Sequence, residues 1–135
     1  MNRRRAAGFQ LYDAAGIKRG DRDASEALAL KNFELFGAPH LVVVTAPKYL
    51  GSYALVDCGG WVANFLLVAH AHGLSVIPQA ALARHAGVLR EHFSIKEDLN
   101  IICGISFGFE HTNSPLNSYR TNREMLPAFC SWHKD

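Results

Sequence analysis

The sequence predicts a layered α+β fold, in which helices flank a central sheet. Residues 40–45 and 99–107 are apolar runs without polar alternation, which is typical of strands buried on both faces. A shorter β-prone run at 74–77 lies between two helical segments. Strands separated by helices favour a sheet with helices packed on it, in the order α-α-β-α-β-α-β, followed by a tail without clear periodicity.

A long apolar helix from Ser52 to His72 is the centre of the predicted fold. Ser52 is a candidate N-cap, and Gly73 is placed to adopt the left-handed conformation that ends many helices. Apolar residues occupy every side of this helix, and such a helix must be buried all round. One small domain rarely buries a helix so completely, so we expect the second subunit of a homodimer to cover part of it. The tail, with Phe129 and Trp132, is expected to wrap around that subunit.

Three further helices are predicted on the basis of apolar spacing and capping residues. The first covers residues 3–15. The second begins at a cap formed by Asp21 or Asp23, whose carboxylates can accept hydrogen bonds from first-turn amides, and runs to about Phe36. The third covers residues 83–93.

The length and composition indicate one globular domain. The chain has 135 residues, of which 49% are apolar and 19% charged. The net charge of +2 is too small to suggest a nucleic-acid partner, and Arg3–Arg5 is the one basic run. Three widely spaced cysteines without a C-x-x-C motif favour buried thiols in a reducing compartment, so we predict a cytoplasmic protein.

The positions of polar residues disfavour a membrane span, a metal site and a nucleophile. The central helix carries Asp57, Asn64, His70 and His72, which are costly inside a bilayer, and no apolar signal segment follows the basic N-terminus. The seven histidines lack the close pairs of a zinc site. No motif activates Cys58, so neither a catalytic residue nor a metal ligand is predicted.

One candidate ligand-binding segment is Ile77–Ala81, which includes Pro78, Gln79, Ala80 and Ala81. Pro78 is expected to end the preceding strand, because proline has no N–H for a sheet ladder. The segment is therefore predicted to be a loop before a helix, where small side chains leave backbone N–H groups accessible to a planar ligand. The alternative is an ordinary strand-to-helix connection.

A second candidate segment contains Arg120 and Arg123. Two arginines three residues apart can hold a phosphate through charge-assisted hydrogen bonds. The alternative is a pair of solvated arginines, because this spacing is common in proteins.

Several of these segments resemble the flavin-dependent nitroreductases. The central helix and the strand after it carry the family's D-x-G-x-x-x-x-N-x-x-L-x-A-x-x-x-G-L pattern followed by a proline, here at Asp57, Gly59, Asn64, Leu67, Ala69, Gly73, Leu74 and Pro78. Residues 32–39, 102–109 and 120–127 resemble further family segments in the same order. The P-Q-A-A-L sequence at 78–82 is similar to that of the nitroaromatic-reducing branch.

The resemblance implies a nitroreductase-like fold and an FMN-bound homodimer that passes electrons from NAD(P)H to a nitroaromatic or quinone-like acceptor. It implies that Pro78, Gln79, Ala80 and Ala81 lie against the flavin ring, with the Ala80 N–H at flavin N5. It also implies that Arg123, helped by Arg120, contacts the FMN phosphate. The protein would supply orientation and electrostatics for the redox chemistry of the flavin.

The resemblance covers the C-terminal two-thirds of the family pattern. The family's R-x-S-x-R and N-x-Q-P-[WF] segments have no match in the sequence. We therefore expect residues 1–135 to form a single, partial nitroreductase-like domain, truncated at the N-terminus, that binds FMN weakly. The alternative hypothesis is a non-catalytic remnant that acts only as a dimerising module. Flavin absorbance of the purified protein would separate the two.

Overall fold

A computed structural model describes residues 3–133 of the chain. These residues form two compact units, 3–25 with 111–133 and 26–110. The first unit contains α1 (Arg3–Ala14) and two short 3-10 turns, Pro115–Asn117 and Leu126–Ala128, and the boundary at residue 25 falls within α2 (Arg22–Leu30). The second unit contains β1 (His40–Pro47), α3 (Tyr53–Ala71), β2 (Ser75–Gln79), α4 (Ala80–Ala83), α5 (Ala86–Phe93) and β3 (Leu99–Gly108).

The sheet of the larger unit has three antiparallel strands in the order β1-β3-β2. The central strand, β3, is the most buried and includes Ile105 and Ser106, which are fully inaccessible. The edge strands are mostly half-buried, so the prediction of burial on both faces is right for the centre of the sheet and wrong for β1. A register shift between Val44 and Thr45 interrupts the β1–β3 pairing.

Helices cover both faces of this sheet, which confirms the layered α+β prediction. Side chains alternate along a strand, so Cys103, Ile105 and Phe107 share one face of β3 and Gly104 and Ser106 the other. The α3 helix covers the first face, where the rings of Phe65 and Phe107 meet edge to face with centroids 5.7 Å apart. The second face packs against α4, with Leu82 directly over Gly104.

The β2 strand continues through Pro78 and Gln79, so the prediction that Pro78 ends it was wrong. Pro78 pairs with Ile105 and Gln79 with Gly104. A proline is tolerated here because β2 is an edge strand, where one side of the backbone has no ladder partner.

The second helix begins as predicted but ends six residues earlier than the predicted Phe36, at Leu30. At its start, Asp21 Oδ1 accepts a hydrogen bond from the Ala24 N–H at 3.0 Å, which confirms Asp21 as the cap. Beyond Leu30 the chain forms turns, and Leu35 and Phe36 adopt left-handed conformations with φ of 54° and 52°. Left-handed residues cannot continue a right-handed helix, so the helical spacing of the apolar residues was misleading.

The predicted helix at 83–93 is split into α4 and α5. The N–H groups of Arg84 and His85 donate to Ala81 O and Leu82 O, three residues back, which tightens and ends the first helix. The ring of His85 then packs edge to face on Phe33, with centroids 4.9 Å apart. This break places a four-residue helix directly after β2.

The α3 helix has nearly the predicted bounds, and Gly73 is left-handed after it, with φ of 76°. Ser52 makes no capping hydrogen bond through its side chain, so the predicted cap was wrong. One side of α3 packs on the sheet, but Val56 and Leu67 on the other side are 70% and 69% exposed. By length and composition alone α3 could also cross a membrane, a property shared by core helices of many globular domains.

Candidate functional site

The first candidate site is the junction at which β2 passes directly into α4. Pro78 and Gln79 are the last residues of the strand, and Ala80 and Ala81 are the first residues of the helix, so the predicted loop was wrong. Pro78 and Ala80 are exposed, whereas Gln79 is buried between them. Because the first N–H groups of a helix have no partner within it, Ala80 and Ala81 present donors next to small side chains.

Because side chains alternate along a strand, those of Pro78 and Gln79 lie on opposite faces of the sheet at this junction. Pro78 lies opposite Ile105, on the sheet face that α3 covers. Gln79 lies opposite Gly104, on the face that packs against Leu82. The exposed surface of the junction is therefore formed by proline and alanine, with the one polar side chain turned inward.

Gln79 is 2% exposed and makes long-range hydrogen bonds through its side chain. Its Nε2 donates to the backbone oxygen of Asn32 at 2.8 Å and to Asn32 Oδ1 at 3.3 Å. Its Oε1 is buried, and no donor in the described part of the chain reaches it. Ser106 Oγ is likewise buried without a partner on the same sheet face.

The sequence analysis missed Asn32 as the partner of Gln79, and it missed Ser106 as a second buried polar residue on the same sheet face. Each offered a sequence signal, because Ser106 is a hydroxyl within the apolar run of β3 and Asn32 is an amide after an apolar stretch of α2. Buried polar groups are usually hydrogen-bonded, so a polar residue inside a buried segment predicts a partner. The sequence does not indicate which partner, since Asn32 and Gln79 are 47 residues apart.

The second candidate pair, Arg120 and Arg123, lies in the smaller unit, and both side chains are exposed. Arg120 Nη1 donates to the backbone oxygens of Asn117 and Tyr119 at 2.9 and 2.8 Å. Arg123 Nη1 donates to Thr121 O and Oγ1 at 3.1 and 2.8 Å. These bonds involve one nitrogen of each guanidinium, which leaves further N–H donors for an anion.

An open groove of about 570 Å³ lies elsewhere in the larger unit, between β1 and the turn from α5 to β3. Its polar lining includes Thr45, Lys96 and Asp98, and none of residues 77–81 borders it. Predicted site residues therefore do not line this groove.

The thiol of Cys103 faces α3 rather than the junction. Burial, and secondarily the nearby Cys58 thiol, raises the pKa of Cys103 above its ordinary value. A thiol with a raised pKa is less often a thiolate, which makes it a poor nucleophile.

Comparison with known families identifies the fold. The model of the nitroreductase family matches residues 2–109, most of the chain. This chain belongs to the nitroreductase family. The prediction of this family from the sequence is confirmed, and with it the nitroreductase-like fold.

Similar sequences carry names of nitroaromatic reductases. The chain is 35% identical over 136 aligned positions to a 4-nitrobenzoate reductase of Nocardioides sp. (strain LMS-CY), with 98% of this chain and 55% of the relative covered. It is 30% identical over 122 positions to a 4-nitrobenzoate reductase of Pseudomonas putida, covering 90% of this chain and 54% of the relative. The chain therefore spans about half the length of these relatives.

Solved structures share the fold closely. The FMN-dependent nitroreductase NfnB from Mycobacterium smegmatis, in complex with NADPH, superimposes with a TM-score of 0.91 at 28% identity, covering 98% of this chain and 59% of that one. The FMN- and NADPH-dependent NfnB from Sphigopyxis sp. strain HMH gives a TM-score of 0.95 at 26% identity, with 98% and 60% covered.

Proposed function

We propose that this chain functions as a flavin-dependent oxidoreductase of the nitroreductase type. It would act as a cytoplasmic homodimer that binds FMN and takes NAD(P)H and a nitroaromatic or quinone-like acceptor as substrates. The β2–α4 junction is the observation that carries the proposal. FMN, when bound, would carry the electrons from NAD(P)H to the acceptor.

The residues at the junction fit the edge of a flavin ring. Pro78 and Ala80 are exposed, and neither places a long side chain between the backbone and a ligand. The Ala80 N–H has no i−4 partner within α4 and can donate to a ring nitrogen. A donor fixed at the atom where charge changes during reduction stabilises that change without reorganisation. The role of Ala80 is thus to orient the ring and stabilise negative charge on it.

The arginines of the smaller unit fit a phosphate. Both are exposed, and each keeps N–H donors beyond those bonded to Asn117, Tyr119 and Thr121. Hydrogen bonds between a guanidinium and a phosphate are charge-assisted and among the stronger polar contacts. We assign the main contact to Arg123, with Arg120 in support, as the family resemblance implies.

The uncovered side of α3 supports a homodimer. Val56, Leu67 and Val68 are all more than half exposed on one helix. Exposed apolar patches of this kind mark interaction sites more often than free surface. Leu66, in contrast, is half-buried within the chain, so a charge at Leu67 is the better test of the interface. The three free cysteines are consistent with a reducing, cytoplasmic location.

Flavin titration of the purified 135-residue chain tests the proposal. Saturable quenching of FMN fluorescence is expected, although with weak affinity. NADPH oxidation should then depend on added FMN and on a nitroaromatic such as 4-nitrobenzoate. Absence of saturable quenching up to millimolar FMN would refute the proposal and favour the dimerising module.

A further inference from the structure

We propose that Gln79 is a positioning residue, whose buried side chain holds the β2–α4 junction against the segment that follows α2. This inference rests on the proposed function, because the junction presents the Ala80 N–H. Gln79 does not itself contact a ligand through its side chain in this arrangement, since it is 2% exposed and turned toward the sheet face under Leu82.

The first step of the argument is the geometry of the amide. Both bonds from Gln79 Nε2 go to one residue, Asn32, at 2.8 Å to its backbone oxygen and 3.3 Å to Oδ1. Asn32 Nδ2 donates in turn to Ala29 O at 3.0 Å, in the last turn of α2. The amide of Gln79 therefore connects the junction to the end of α2 through a single residue.

A second contact joins the same two segments. Phe33, next to Asn32, meets the ring of His85 with centroids 4.9 Å apart, and His85 lies two residues after the end of α4. The short helix is thus held at both ends, by Gln79 before it and by His85 after it. A four-residue helix has little stability of its own, so these contacts, together with the packing of Leu82 on Gly104, determine where its first N–H groups point.

The third step is the unused oxygen of the amide. Gln79 Oε1 is buried and no donor in residues 3–133 reaches it. A buried acceptor without a partner is unfavourable compared with an apolar side chain of the same shape. Stability alone would therefore favour an apolar side chain at position 79. The amide instead supplies an N–H donor to Asn32.

Two substitutions separate positioning from packing. Gln79→Met keeps the volume and removes the donor. Gln79→Glu keeps the shape, but its carboxyl can donate to the Asn32 oxygen only when protonated. Burial raises the pKa of such a carboxyl above its usual value of about 4.3. Gln10→Met and Gln10→Glu are matched controls on α1, because Gln10 is the other glutamine of the chain.

The first measurement needs no flavin. Hydrogen exchange of the Arg84 and His85 amides, which donate to Ala81 O and Leu82 O of α4, should rise about tenfold in flavin-free Gln79→Met, as expected for the loss of a buried hydrogen bond. In Gln79→Glu it should be raised at pH 8 and return toward wild type near pH 5, after correction for the intrinsic pH dependence of exchange. The Gln10 variants should leave these amides unchanged. Unchanged exchange in both Gln79 variants, measured on folded protein, overturns the inference.

The second measurement is the FMN dissociation constant, expressed as the ratio of variant to wild type at each pH. The ratio should be about ten for Gln79→Met, and for Gln79→Glu it should fall from about ten at pH 8 toward one near pH 5. If Gln79→Met does not fold, the comparison of Gln79→Glu at pH 8 and pH 5 still tests the inference. Faster exchange with an unchanged ratio also overturns the inference. If wild type binds no FMN, the proposed function fails, and hydrogen exchange alone decides whether Gln79 holds the junction.

Discussion

The close approach of Leu82 to Gly104 permits a quantitative test of how α4 is held on the sheet. A methyl group at position 104 would lie within 3.0 Å of Leu82 Cδ1 and 3.2 Å from Leu41 Cδ1. Overpacking of this kind costs about 1–3 kcal/mol, and we expect the lower half because the crowded atom is the end of a flexible side chain. Gly104→Ala should therefore lower the free energy of unfolding by about 1–2 kcal/mol.

A double-mutant cycle shows whether this cost arises from Leu82. Leu82 is 6% exposed, so Leu82→Ala alone should cost about 2–5 kcal/mol by leaving a cavity. In the double variant the new methyl occupies part of that cavity. The loss of unfolding free energy in the double variant should therefore be smaller than the sum of the two single losses by about 1 kcal/mol or more. Urea unfolding at fixed protein concentration measures all four proteins. Costs that add to within about 0.5 kcal/mol would refute the packing argument.

Three further predictions concern the interface, the phosphate contact and the buried thiol. Leu67→Glu should convert a dimer to monomer in sedimentation velocity, because an unpaired charge would be buried in the interface; a folded wild-type monomer at micromolar concentration would contradict the dimer. Arg123→Ala should weaken FMN binding about tenfold or more with little change in melting temperature, whereas the exposed Arg84→Ala should not. Cys103 should alkylate more slowly than Cys130 at pH 8. Because the folded state holds the Cys103 proton more strongly than the unfolded state does, the contribution of this thiol to the free energy of unfolding should be lost as pH rises above 9.0. Equal alkylation rates would contradict the raised pKa.

The parts of the fold that could be predicted from sequence are those set by local signals. The α3 helix is long, apolar and followed by a glycine that adopts φ of 76°, and Asp21 caps α2 as its side chain allows. The end of α2 could not be predicted in this way. Left-handed Leu35 and Phe36 contradict the preference of those residues, and they occur in a turn where the Phe36 N–H donates to Lys31 O at 2.9 Å.

Strand order explains the error at the candidate site. Whether a proline can lie in a strand depends on whether that strand is at an edge, and nothing in residues 74–79 indicates that β3 separates β2 from β1. The same pairing turns Gln79 toward the sheet and leaves Pro78 exposed. The sequence therefore indicated the segment but not which of its side chains are accessible.

Sequence periodicity alone does not predict what covers the exposed side of α3. A helix that is apolar all round must be covered, but the pattern does not say by which molecule. Full burial of Val56 and Leu67 contributes about 1.5–3 kcal/mol for each side chain, while association costs about 4–15 kcal/mol. Two copies of these two residues barely offset that cost, so in the proposed dimer we expect Tyr53 and Val68, which are also exposed on α3, to take part. It follows that Leu67→Ala, which removes about 1.5 kcal/mol from each of two copies, should weaken the dimer by about two decades without abolishing it, whereas Leu67→Glu should separate the subunits. Equal effects of the two variants in sedimentation would show that Leu67 lies outside the interface or acts only through folding.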